Sequence, residues 1–99
     1  MIIVMKKTAN VVMLERVLSI LKAFGFDNVQ LKPKDEKGRI CMAVLGQGAD
    51  DISLVTLESL PGIENYARNS IYFENHQEDF LTVKQFFAQS DNSRKLVST

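Results

Sequence analysis

The sequence predicts an α+β fold with the element order β-α-β-β-α-β, and three observations carry that reading. An apolar run, Met1-Ile2-Ile3-Val4-Met5, leads into a stretch of helical periodicity that Gly25 closes. Two short alternating runs follow, joined by a charged turn ending at Gly38. A second helix-period stretch stops at Leu60-Pro61-Gly62, and a last alternating run starts at Ile63. Such an order, with a short C-terminal helix after it, is that of a ferredoxin-like sandwich. Folds of this kind serve binding and regulation more often than catalysis.

Ile2 to Met5 is apolar throughout, as expected of a strand covered on both faces in the middle of a sheet. Lys6 to Asn10 connects it to the first helix, and Thr8 or Asn10 can cap that helix, Asn10 being the better fit if it begins at Val11. The helix runs to about Phe24. Val11, Leu14, Val17, Leu18, Leu21 and Phe24 share a face, and Glu15, Arg16, Ser19 and Lys22 lie opposite. Met13 and Ile20 widen the apolar arc to about half the circumference, beyond the ~100° that a simple surface helix needs. Either the helix sinks deeply into its own sheet, or one flank meets another subunit.

Phe26 to Pro33 forms the second strand, with Val29 and Leu31 on one face and Gln30 and Lys32 on the other. Pro33 cannot donate to a ladder, which places this strand at a sheet edge. Lys34 to Gly38 is a charged hairpin turn. Arg39 to Leu45 forms the third strand; Ile40, Met42 and Val44 face one way and Cys41, Ala43 and Leu45 the other, so both faces are expected to be covered. Asp50 and Asp51 then suit the start of the second helix, where the dipole favours negative charge. Leu54, Leu57 and Leu60 form its main stripe, with Ile52 and Val55 off it. The fourth strand lies within Ile63 to Phe73 and carries Tyr66, Ile71, Tyr72 and Phe73. Gln77-Glu78-Asp79 starts a short helix with Phe80, Val83, Phe86 and Phe87 as its stripe, and Ser90 to Thr99 is expected to fray. The chain thus divides into a domain of residues 1–73, a helical extension of 74–88 and a flexible tail of 89–99.

Composition narrows the function classes. A chain of 99 residues is one domain and buries roughly 60–68% of its unfolded surface. Its 12 basic and 12 acidic side chains cancel, which argues against a general attraction to nucleic acid or anionic lipid. The single cysteine, Cys41, forms no internal disulfide and reads as a small buried hydrophobe. With no disulfide framework and no signal peptide, the expected location is the cytoplasm. No apolar run approaches the ~20 residues of a membrane span.

The residues argue against most site chemistry. A metal centre needs several converging ligands, and one Cys with one His, His76, does not supply them. Cys41 has no local cue for thiolate stabilisation. Gly46-x-Gly48 before a helix would suit an anion, but Asp50-Asp51 already occupy that end. The third strand lacks the stacking aromatics of an RNA-binding sheet. No Cys-x-x-Cys follows the first strand for copper, and the first loop holds Lys6 and Lys7 but no arginine for a phosphate. Neither a cofactor nor a catalytic residue is expected. Tyr66, Tyr72 and Phe73 form the densest aromatic group before the tail, suited to strand packing or to one wall of an apolar pocket or subunit interface.

Met1 to Lys6, Glu15-Arg16-Val17, Ala43-Val44-Leu45-Gly46 and Leu60-Pro61-Gly62-Ile63-Glu64, in this order and spacing, resemble the N-terminal ferredoxin-like domain of type I 3-deoxy-D-arabino-heptulosonate 7-phosphate (DAHP) synthases. The resemblance spans about residues 1–73, and His76-Gln77-Glu78-Asp79 is similar to the segment leading into the catalytic barrel of that family. The barrel itself has no counterpart before Thr99, so the resemblance implies the regulatory part, akin to ACT domains, and no synthase activity. In the family that part binds aromatic amino acids for feedback inhibition of the shikimate pathway.

Two expectations follow. One is a stand-alone, non-catalytic regulatory domain that self-associates as a dimer and binds a small ligand at the junction. The resemblance implies an aromatic amino acid, with Asn28 and Gln30 as polar contacts, Tyr66 and Tyr72 as the apolar wall, and Met13 and Ile20 at the interface. The other is an interaction module that docks on a separately encoded DAHP synthase or related enzyme through Phe80, Phe86 and Phe87.

Overall fold

Five strands form one antiparallel sheet: β1 (Ile2–Met5), β2 (Val29–Lys32), β3 (Cys41–Val44), β4 (Ile63–Ala67) and β5 (Leu81–Thr82), in the order β4-β1-β3-β2-β5. Helix α1 (Val11–Ala23) joins β1 to β2, and α2 (Leu54–Ser59) lies between β3 and β4. A short α3 (Ile71–Asn75) precedes β5, and a further helix, α4, covers residues 83–89. This computed structural model describes residues 1–89, so the tail expected to fray from Ser90 lies outside the described residues. The fold is α+β.

Each α1 end is built as its sequence requires. Asn10 takes an extended backbone and its side chain accepts from the Met13 N–H. At the other end Gly25 adopts φ +93°, its N–H donates to the Lys22 carbonyl, and the Phe26 N–H reaches back to Leu21. That pair of bonds is a Schellman terminus, and Ile20 and Phe26 both pack against the core beside it.

Strand alternation divides the apolar residues between two faces. Ile3 and Leu31 both lie opposite Met42, and with Met5, Val29 and Val44 they face α1, where Leu14, Val17 and Leu21 meet them. Met1, Ala49, Ile52, Leu57, Leu60 and Phe86 complete this main core. On the other face Ile2 and Gln30 both lie opposite Ala43. There Ile2, Cys41 and Ala43 pack with Phe80, flanked by Val4, Leu45 and Phe73, as a separate smaller cluster. β3 is buried at every position, in keeping with its apolar residues on both faces.

Several expectations are corrected. β2 is not an edge strand, because β5 pairs with its free side through Gln30↔Thr82 and Leu31↔Leu81. Pro33 is accommodated because it follows the last residue of the ladder. Ile71, Tyr72 and Phe73 belong to a helix and not to the fourth strand. β4 runs out of partner at Ala67, opposite the first residue of β1, and the Asn69 side chain then accepts from the Ile71 N–H to turn the chain. The helix expected from Gln77 is a single 3-10 turn, after which Phe80 is extended. Phe80 therefore faces the small cluster while Phe86 lies in the main core, so the two share no stripe. In the second helix Ser53 caps, its hydroxyl accepting from the Thr56 N–H, and the chain turns helical only at Leu54. Ile52 is buried ahead of the helix, whereas Leu54 is 52% exposed. At α1, Val11 and Phe24 lie outside the buried stripe.

One irregularity in β4 positions a charge. Val4 pairs with Asn65 but Met5 with Ile63, which leaves Glu64 as an extra, bulged residue. Its carboxylate accepts from Arg39 Nη1 at 2.6 Å.

Candidate functional site

The β2–β3 turn and α3 enclose an open cleft of about 610 Å3 on the second face of the sheet. Its lining is Lys32, Pro33, Lys34, Asp35, Glu36, Lys37, Arg39, Tyr72 and Asp79. The turn is organised by Asp35. One carboxylate oxygen accepts from the Lys37 and Arg39 N–H groups, each at 2.9 Å, and the other accepts from Arg39 Nη2 at 3.2 Å. These donors, the Arg39 N–H foremost, hold the Asp35 carboxyl below the usual aspartate range. Arg39 thus bridges the turn to Glu64, and its Nε is buried without an acceptor among the described residues.

The opposite wall is aromatic. Lys32 Nζ donates to the Tyr72 hydroxyl at 2.6 Å. The same ammonium lies 5.2 Å from the ring centroid. With so short a hydroxyl contact, it sits beyond the ring edge and not over the π face. His76 stacks on Tyr72 at 4.1 Å and 20°, and its Nδ1 lies 2.8 Å from the Tyr72 carbonyl. Phe80 meets Tyr72 and Phe73 edge-on at 6.2 and 5.0 Å.

Of the residues expected to bind a ligand, Tyr72 lines this cleft and Gln30 lies on the same sheet face. Tyr66 does not join them. It pairs with Ile3 and packs against the main core on the helical side, with the Arg68 guanidinium 5.5 Å from its ring. Asn28 is exposed, and its carbonyl accepts from the Leu45 N–H beside the sheet. The four residues are therefore not brought together within one chain. Strand alternation sends Tyr66 to one face, and the helical turn after Ala67 carries Tyr72 to the other.

The expected interface residues separate too. Met13 is partly exposed against Gly62, and Ile20 and Phe87 are half-buried on the main core. Phe80 and Phe86 are 6% and 9% exposed, which removes them as anchors for a partner.

The charged lining was missed at the sequence level, where the Lys34–Gly38 run reads as a solvated turn. Asp35 followed by Gly38 was the local signal for an organised turn. The approach of Asp79 and Tyr72 has no local signal, since both come from a distant part of the chain.

The hydrogen bond to Tyr72 raises the Lys32 pKa and keeps the ammonium protonated. Burial raises the Cys41 thiol, away from the thiolate a nucleophile needs. Among the described residues no three His, Cys, Asp or Glu side chains converge to hold a metal ion, and no helix is long and apolar enough to cross a membrane. Comparison with known protein families, curated proteins and solved structures finds no match to this chain.

Proposed function

We propose that this chain is a non-catalytic regulatory domain that binds a small zwitterionic ligand, an amino acid with an aromatic side chain, in the cleft between the β2–β3 turn and α3. The observation that carries this reading is the close placement of both charge signs beside an aromatic wall. Lys32, Lys34 and Lys37 suit an α-carboxylate, Asp79 and Asp35 suit an α-ammonium, and Tyr72 offers a ring edge and face.

The strand order β4-β1-β3-β2, with α1 and α2 as the two connections, supports a ferredoxin-like core to which β5 is added. That supports in turn the resemblance to a DAHP synthase feedback domain.

Thermal unfolding with millimolar phenylalanine, tyrosine or tryptophan, and with alanine for comparison, tests the proposal. A ligand at a hundred times its Kd adds ~2.7 kcal/mol, and each kcal/mol moves the midpoint of a domain this size by roughly 4–8 °C. The expected result is a shift of roughly 10–20 °C with one aromatic amino acid, lost in Lys32→Ala. Absence of a shift with all three would overturn it.

A further inference from the structure

β4 and β5 are the two outer strands of the sheet, and residues 68–80 connect them by crossing its second face from one edge to the other. Four strand spacings separate the ends, about 19 Å, whereas residues 68–80 fully extended would span ~43 Å. The segment has slack. Both its ends can stay in the sheet while the middle lifts away.

Little holds the middle down. Neither α3 nor the 3-10 turn after it contains a buried residue. Phe80 is buried and Phe73 half-buried, against Ile2, Cys41 and Ala43. At its start Arg68 donates to the Ile52 carbonyl at 2.7 Å and to the Asp50 carbonyl at 3.3 Å; beyond that, among the described residues, the one side-chain bond from this segment to the strand beneath it is Lys32 to Tyr72, and it is exposed. The helical side, by contrast, is a continuous core that draws buried residues from β1, β2, β3, α1, α2 and α4. Local stability follows the density of buried apolar contacts, so the two faces differ strongly in what opening them costs.

We propose that residues 68–80 form a strap that opens as a unit over the second sheet face while the rest of the domain stays folded. Because Tyr72 belongs to both the strap and the cleft wall, ligand in the cleft holds the strap closed; this coupling rests on the function proposed above. Closed, the strap shields Ile2, Cys41 and Ala43; open, it exposes them and dismantles the cleft.

The chain's single cysteine lies under the strap and reports on it. The experiment is the reaction of Cys41 with Ellman's reagent on the full chain across a urea series. The expected rate at low urea is nearly independent of urea and faster than global unfolding allows, since lifting the strap exposes little surface. Phe80→Ala is expected to raise that rate tenfold or more. Tyr72→Phe removes only the hydroxyl bond and is expected to raise it about two- to fivefold; it carries the test should Phe80→Ala unfold. A wild-type rate that follows global unfolding throughout the series overturns the strap. Equal rates in wild type and variants do so too, because Cys41 would then react through its residual exposure. Millimolar phenylalanine, tyrosine or tryptophan is expected to slow labelling. Urea-independent labelling that none of them slows overturns the coupling and the cleft reading together, with the strap itself upheld.

Discussion

Asp35 concentrates several effects in one side chain. Its carboxylate closes the turn through two backbone N–H groups and meets the Arg39 guanidinium, and all of these favour the ionised form. The folded chain therefore protonates Asp35 less readily than the unfolded chain does. Stability from this residue is present above the ordinary aspartate range and is lost as pH falls through and below about 4. Asp35→Asn is expected to flatten the acid limb of stability against pH, which denaturant titrations between pH 6 and pH 2.5 would measure. An unchanged limb would show that other carboxylates dominate it. Such a role was legible only in part from sequence. Asp and Gly mark a turn, but the pairing of Arg39 with Glu64 depends on a bulge that one strand's pattern cannot reveal.

Two glycines end elements in the same backbone region with different surroundings. Gly25 closes α1 at φ +93° with open space where a Cβ would stand, so Gly25→Ala costs only the conformational penalty, about 1 kcal/mol. Gly62 precedes β4 at φ +76°, and a Cβ there would lie 3.3 Å from Met13 Sδ and from Met5 Cε, and 3.4 Å from Ala9. Gly62→Ala is expected to cost more than Gly25→Ala, by ~1–3 kcal/mol, because overpacking adds to the strain. Urea denaturation of both variants checks the order, and equal losses would mean that the methionines move aside freely. At this scale the sequence is most readable where propensity and packing agree. Asn10, the Leu14-Val17-Leu21 stripe and Gly25 bound α1 within a residue of expectation. It is least readable from Ile71 to Phe80. There β-forming side chains enter a helix, because the ladder ends at Ala67 and no partner remains to keep them extended. Phe80 and Phe86 look like one helical stripe until the strand between them sends them to opposite faces.

Across the whole molecule, the strap turns a sheet with one open face into a domain with both faces covered, and it delivers the chain to the far edge as β5. β5 is only two residues long, yet it makes β2 an interior strand. Short edges resist pairing with other chains, and at the opposite edge the Glu64 bulge acts to the same end. Without β5, the strand Val29-Gln30-Leu31-Lys32 would present unpaired N–H and C=O groups beside two apolar side chains. A chain shortened to end at Phe80 is therefore expected to aggregate on incubation, by light scattering and thioflavin fluorescence. Phe86→Ala, which removes the same core anchor but keeps β5, is expected to remain clear; equal behaviour of the two would assign the effect to core loss. Two residues of strand are then a guard against self-templated assembly, and their sequence is constrained by what the protein must avoid becoming.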